Sequence, residues 1–173
     1  AVSKEKLVQT ESKTTSKKTP IIELSIKLES NNEEESKILI ELFPEKAPQH
    51  VNQFLRLVNE GFYDGLIFHR VIPQFIVQTG GYTFDFTLRH NQTPPVRNEG
   101  NNQLKNVRGS VAMARTSDPH SAQSQFFINM MDNPSLDSTA SHYGYAVFGK
   151  VVDGMSTVDA IAAKKTHNYG MFR

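Results

Sequence analysis

The chain has 173 residues, of which 38% are hydrophobic and 21% are charged, with a formal net charge of +1 and no cysteine. This length is enough for one sizeable hydrophobic core and too short for two. The charge gives no overall attraction to nucleic acid or anionic lipid, the lack of cysteine excludes disulfides and thiolate chemistry, and no apolar run is long enough to predict a membrane span.

Residues 1–20 differ in composition from the rest of the chain. They hold five lysines against two glutamates, several Ser and Thr residues, and few aliphatic side chains larger than alanine. Such a segment cannot bury enough apolar surface to fold, so its composition predicts a solvated, disordered tail. An alternative is that this tail binds an acidic partner or surface through its charge.

From residue 21 onward, the pattern becomes typical of β-strands. Alternation over 21–28 and an apolar run over 37–43 predict two strands joined by a polar hairpin loop. Further strands are predicted near residues 67–72, 75–79, 110–115, 126–130 and 145–152.

Two helices are predicted among these strands. Residues 44–61 carry apolar side chains at helical spacing, Pro48 suits the first turn, and Gly61 can end the helix in a left-handed conformation. A shorter helix is predicted over 156–164. This set of elements is expected of a mainly β fold, a closed or nearly closed barrel whose ends the helices cover.

The stretch 68–81 places one arginine and one glutamine among large apolar residues on two short β-like runs. Strand alternation puts Arg70 on the same face as Phe68 and Ile72. Because burying an unpaired guanidinium is costly, Arg70 must reach solvent, pair with a polar group, or line a cleft in which a ligand supplies the acceptor. From this stretch alone, an arginine that extends to the surface is the simpler interpretation.

Three further segments follow in order, RGSVAMAR at 108–115, SQFFIN at 124–129 and YAVFGKVV at 145–152. Together with 68–81 they resemble the cyclophilin family of peptidyl-prolyl cis-trans isomerases, in particular its bacterial branch. The resemblance extends from about residue 21 to the end, so 21–173 is interpreted as one isomerase domain.

The resemblance implies an antiparallel eight-stranded β-barrel capped by two helices. In the family, the final strand would follow a loop beyond residues 167–170. Because the sequence stops at Arg173, that strand is apparently missing from this chain.

The resemblance also implies a reaction, rotation about X-Pro peptide bonds to assist protein folding. Twisting this amide leaves a lone pair on the proline nitrogen, so one fixed cationic donor beside an apolar pocket is sufficient. Arg70 matches the catalytic arginine of the family, and Gln78 matches the glutamine that positions this arginine and contacts the substrate. The competing interpretation is a module that binds proline-containing peptides without turnover.

The remaining matched positions are expected to contact the substrate. Phe127 would form the floor under the proline ring, and Ala114 with Arg115 would pair with the substrate backbone. Without the resemblance, the apolar members could equally be ordinary core residues. The expected contacts are Phe75, Ile76, Ala114, Arg115, Gln125, Phe127, Leu136 and Tyr145.

The resemblance implies no cofactor, and the six histidines lack the spacing of metal ligands, so no metal site is predicted. The expected partners are proline-containing segments of unfolded or exposed proteins, with no nucleic acid among them. Ser135 falls where eukaryotic members have a tryptophan that binds cyclosporin, so weak cyclosporin binding is expected.

The start of the sequence bears on where the protein is located. The chain begins at Ala1 without a methionine, as signal-peptide removal or trimming would leave it. We therefore expect the bacterial periplasm or cell envelope, with the cytoplasm as the alternative. We expect a monomer.

Overall fold

Eight antiparallel strands form one continuous sheet in this protein. The structure, a computed structural model, describes residues 19–28 and 35–166 and the backbone of residues 2–7. The strands are β1 (Val2–Leu7), β2 (Ile21–Ile26), β3 (Ser36–Leu42), β4 (Arg70–Ile72), β5 (Ile76–Thr79), β6 (Ser110–Met113), β7 (Phe126–Asn129) and β8 (Val147–Asp153). Their order across the sheet is β1-β2-β3-β8-β6-β7-β5-β4, which leaves β1 and β4 at the two edges.

Two α-helices accompany the sheet. Helix α1 covers Pro48–Asn59 and helix α2 covers Met155–Ala163, and a short 3-10 helix covers Pro134–Leu136. Gly61 adopts a φ of 69° directly beyond α1, a conformation that residues with a Cβ rarely adopt, and its N–H binds the carbonyl of Val58. Both predicted helices and all seven predicted strands are therefore confirmed, with bounds that shift by a few residues.

The eight-stranded barrel that the resemblance implies, with its last strand missing, goes slightly further than the structure. The mainly β, antiparallel architecture is confirmed, but β1 and β4 do not pair with each other among the described residues. The sheet is curled rather than closed. Residues 167–173, around which the missing final strand was predicted, lie outside the described residues.

The composition of residues 1–20 predicts a disordered tail, whereas residues 2–7 of this segment form the strand β1. This strand pairs antiparallel with β2, from Val2 opposite Ile26 to Leu7 opposite Ile22. The free N–H and C=O groups at the edge of β2 supply hydrogen-bond partners that composition alone does not reveal. Residues 8–18 of the predicted tail lie outside the described residues.

The main core lies between the inner face of the sheet and the helices. Phe54 of α1 is fully buried, and its ring packs on three other aromatic rings, with centroids 5.2 Å from Tyr63, 5.2 Å from Phe126 and 5.1 Å from Phe148. This contact attaches α1 to β7 and β8. Helix α1 therefore supports these two strands, which also carry part of the candidate site, from the core side of the sheet.

The start of α1 is held by a distant carboxylate. Ala47 precedes the helix and gives no side-chain cap, but Glu99 accepts the backbone N–H groups of Gln49 (3.1 Å) and His50 (3.0 Å). Glu99 also binds His50 Nδ1 at 2.5 Å. Burial acts to raise the pKa of Glu99, but the hydrogen bonds from His50 and Gln49 outweigh burial and keep this pKa below its usual range. The long loop before β6 is thereby anchored to α1.

Replacing Phe54 by alanine should lower the free energy of unfolding by roughly 3–5 kcal/mol, because the change removes a buried ring and leaves a cavity among three others. Urea denaturation followed by circular dichroism measures this loss. Phe84→Ala is the matched control, since Phe84 is 78% exposed and its truncation should have little effect. Equal losses for the two variants would contradict the aromatic core described here.

Candidate active site

The strand register places a cation, an amide and an aromatic ring in one row. Arg70 on β4 lies opposite Gln78 on β5, Gln78 lies opposite Phe127 on β7, and Phe127 lies opposite Ala112 on β6. Residues directly opposite in an antiparallel sheet share a face. We call these residues the outer row. The residues that alternate with them along the strands point to the other face of the sheet, where they belong to the main core or pack against it: Val71, Val77, Ile128 and Val111.

A second, smaller apolar cluster lies on this outer face. Its buried members are Ile76, Ala112, Phe127 and Val147. Partly buried residues surround them: Phe75, Leu104, Ala114, Leu136 and Tyr145. The Phe127 ring meets the Tyr145 ring edge to face, with centroids 5.7 Å apart. This outer cluster therefore offers a floor of buried side chains and walls that remain partly open to solvent.

The polar end of the row is a chain of side-chain contacts. Gln78 donates from Nε2 to Gln125 Oε1 at 2.9 Å, and Arg70 Nη1 lies 3.5 Å from Gln78 Oε1, a long hydrogen bond. Gly81 makes room for Gln125, since a Cβ at this position would lie 2.6 Å from Gln125 Nε2. Arg70 is half-buried and forms no ion pair with any carboxylate in the described part of the chain. Among the described residues, its N–H groups are therefore not bound to an anion.

His69 extends this chain of contacts as a neutral side chain. Burial, which has the largest effect, and the charge of Arg70 together lower the pKa of His69 to about 4, although a hydrogen bond with Gln125 acts in the opposite direction. Its ring also lies against Tyr82, with centroids 4.6 Å apart. His69 therefore stays uncharged near neutral pH, and Arg70 supplies the positive charge at this end of the row.

Arg115 packs against Tyr145, a wall residue of the outer cluster. Its guanidinium carbon lies 4.5 Å from the centroid of the Tyr145 ring. It donates through Nε to the carbonyl of Gly144 (3.1 Å) and through Nη1 to the carbonyl of Thr116 (2.9 Å). The arginine thus holds the aromatic wall and two loops together.

Three buried asparagines hold the backbone of the pocket walls. Asn133 donates to the carbonyl of Phe75 at 3.0 Å, and Asn106 donates to the carbonyls of Leu136 (3.1 Å) and Tyr145 (3.3 Å). Asn129 connects them, since its Nδ2 binds Asn106 Oδ1 at 3.1 Å and its Oδ1 accepts from Asn133 Nδ2 at 2.8 Å. These contacts set the relative positions of three wall segments that are far apart in sequence.

The structure brings the residues predicted from the sequence together on the outer face. Phe127 (2% exposed) and Ile76 (3% exposed) form the floor, and both are as buried as ordinary core residues would be. The other predicted residues are all half-buried around it: Arg70, Phe75, Gln78, Ala114, Arg115, Gln125, Leu136 and Tyr145. Their individual roles stay a prediction.

Several members of the site were not predicted from the sequence. Ala112 and Val147 of the floor were treated only as strand residues, and Leu104 fell in a loop without periodicity. The asparagine network was missed as well. One signal was available, because Asn129 ends an apolar strand (FFIN), where a buried polar side chain needs partners.

The sequence model of the family described as cyclophilin type peptidyl-prolyl cis-trans isomerase/CLD matches residues 25–171. Among curated proteins, the chain is 51% identical over 136 residues to peptidyl-prolyl cis-trans isomerase A of Dickeya dadantii, which covers 79% of this chain and 71% of the relative. It is 49% identical over 138 residues to peptidyl-prolyl cis-trans isomerase B of Escherichia coli, with 78% and 83% covered.

Solved structures show the same fold. A cyclophilin-type peptidyl-prolyl cis-trans isomerase from Cryptosporidium parvum, crystallised in the presence of the dipeptide Ala-Pro, matches with a TM-score of 0.63 and 29% identity over 76% of this chain and 82% of its own. A cyclophilin from Hirschia baltica matches with a TM-score of 0.60 and 25% identity over 73% and 63% of the two chains. No helix in the described residues is both long and apolar enough to cross a bilayer.

Replacing Asn129 by alanine should destabilise the protein by about 1–3 kcal/mol for each buried group that is left without a partner. The ring resonances of Tyr145 and Phe127 should also shift, because the wall segments lose their connection. Thermal unfolding and aromatic NMR spectra measure both effects. Asn52→Ala, on the exposed side of α1, is the control. Unchanged aromatic spectra in Asn129→Ala would mean that the network does not position the walls.

Proposed function

This chain belongs to the cyclophilin-type peptidyl-prolyl cis-trans isomerase family, and we propose that Arg70 accelerates X-Pro rotation by donating a hydrogen bond to the proline nitrogen. The observation that supports this proposal is the outer row, which holds beside an apolar floor a guanidinium that forms no ion pair within the described residues. The substrates proposed are proline-containing segments of unfolded or exposed polypeptides.

The chemistry requires stabilisation of a twisted amide and no covalent step. Partial double-bond character of the C–N bond produces a barrier of about 18–20 kcal/mol, so spontaneous exchange takes tens to hundreds of seconds. Only contacts that are stronger in the twisted state than in either planar state accelerate the rotation. At the transition state the proline nitrogen regains its lone pair, which the planar amide does not offer. A donor aimed at this nitrogen therefore favours the transition state selectively.

Floor and donor have separate tasks in this proposal. The proline ring rests on Phe127, with Phe75, Leu136 and Tyr145 around it, and these apolar contacts hold the ring while the preceding carbonyl turns. Arg70 then approaches the nitrogen from the edge of the floor. No cofactor takes part in this reaction.

Gln78 has a positioning role in the same proposal. Its amide lies between Arg70 and Gln125, and Gln125 in turn contacts His69. This chain of contacts limits the rotation of the long Arg70 side chain, which forms no ion pair within the described residues. An oriented guanidinium loses less entropy when it binds the transition state, which is the purpose of preorganisation.

The competing function is a peptide-binding module without turnover. It would use the same apolar floor but would gain nothing from a cation that is held next to the floor and forms no ion pair within the described residues. The presence of Arg70 beside the floor favours the enzyme, because a binder could dispense with a donor that acts only on the twisted amide. Variants of Arg70 separate the two functions.

Arg70→Ala should reduce kcat/KM on an Ala-Pro-Phe-type peptide by roughly 100- to 1,000-fold, the scale for loss of one transition-state donor. A protease-coupled assay measures the rate, and circular dichroism checks that the fold is intact. Arg56→Ala on α1 is the control, because Arg56 is exposed and its side chain contacts Glu60 and Thr93, which lie outside the candidate site. A loss below about fivefold in a folded Arg70→Ala protein would exclude Arg70 as the main donor.

We also propose that cyclosporin binds weakly. Ser135 is exposed and precedes Leu136, a wall residue of the outer cluster, so it offers neither an indole N–H nor a large apolar surface at this point. Ser135→Trp should therefore tighten cyclosporin binding by roughly tenfold or more, and isothermal calorimetry measures the change. Thr139→Trp in the following exposed turn is the control for added aromatic surface. Equal affinities for wild type and Ser135→Trp would contradict the proposal.

A further inference from the structure

A second pocket adjoins the outer row, with a volume of about 250 Å³. It shares Gln78, Ala114 and Gln125 with the candidate active site. A peptide whose proline lies on the floor therefore passes the mouth of this pocket with a neighbouring residue. We call it the side pocket.

Basic side chains line the side pocket, and acidic ones do not. Arg89, His90 and Arg115 contribute to its walls together with uncharged residues. The nearby turn over 116–121 contains one carboxylate, that of Asp118, which accepts the backbone N–H of His120 at 2.8 Å. A net charge of +1 for the whole chain shows that this is a local excess and no general property of the surface.

The two arginines are fixed by carbonyl oxygens, which leave their charge in place. Arg89 donates through Nη1 to the carbonyls of Phe62 (3.0 Å) and Asp64 (2.6 Å), and Arg115 donates to the carbonyls of Gly144 and Thr116. Neither forms an ion pair within the described ranges 19–28 and 35–166. By contrast, Arg108 binds the carboxylate of Asp159 through Nη2 at 2.8 Å.

We propose that the side pocket accepts an acidic side chain of the substrate, so that this isomerase prefers prolines with a Glu or Asp close by in sequence. The inference rests on the proposed function, because it assumes that the proline lies on the outer cluster. Two oriented guanidinium groups can bind a carboxylate through several N–H donors. They also attract acidic segments before contact is made.

The test compares peptide pairs that differ only by Glu against Gln. Glu or Gln is placed in turn two residues before, one residue before and one residue after the proline, and kcat/KM is measured at low salt. We expect one position at which Glu gives roughly three- to tenfold higher kcat/KM than Gln, the scale of one or two partly exposed charge pairs. The ratio should fall towards one in 1 M NaCl, where the Debye length is about 3 Å.

Variants at Arg89 separate charge from structure. Arg89→Gln removes the charge, so the Glu/Gln ratio should fall, whereas Arg89→Lys keeps the charge and should retain most of the ratio. If Arg89→Gln does not fold, Arg115→Gln provides the same comparison from the opposite wall. Glu/Gln ratios within about twofold of one at every position in the wild-type protein would overturn the side-pocket proposal. Absence of turnover with every peptide would instead overturn the proposed function.

Discussion

The antiparallel register of β4, β5, β7 and β6 is the constraint on which the site depends. It brings Arg70, Gln78 and Phe127 side by side on the outer face and sends the alternating valines and Ile128 into the core. A slip of one residue would exchange the two faces, placing a guanidinium in the core and aliphatic residues on the surface. The burial energy of the inner row therefore determines where the cation lies, and the catalytic geometry needs no separate device to set the register.

This arrangement leaves Arg70 half-buried and without an ion pair among the residues that the structure describes, which is unfavourable for folding alone. The cost is limited because Gln78 touches the guanidinium and because His69 is held neutral beside it. Behind the row, the rings around Phe54 stiffen the sheet, while Asn106, Asn129 and Asn133 hold the wall segments from the side. A half-buried charge of this kind breaks a local rule of folding, which is expected at a functional site.

Sequence patterns predicted what depends on short-range periodicity and on recognisable motifs. Pro48 and Gly61 marked α1, and alternation marked the strands. The resemblance of the motifs at 68–81 and 124–129 to a known family pointed to Arg70, Gln78 and Phe127 of the outer row, but not to Ala112. Contacts between segments that are distant in sequence could not be predicted from such patterns. Pairing of β1 with β2 depends on an open sheet edge, and the asparagine network depends on carbonyls that meet only in the folded chain. Arg89 lies in a long loop without periodicity, so its place in the side pocket could not be read from its neighbours.

The most direct test of the account is NMR exchange spectroscopy on a short Phe-Pro peptide with isotopically labelled protein. One sample then reports both cis-trans exchange and the surface that the peptide touches. We predict accelerated exchange, together with shift changes centred on Arg70, Gln78 and Phe127. Shift changes on this row without accelerated exchange would mean a binding module. Accelerated exchange with shift changes elsewhere would mean that the catalytic site lies on another surface.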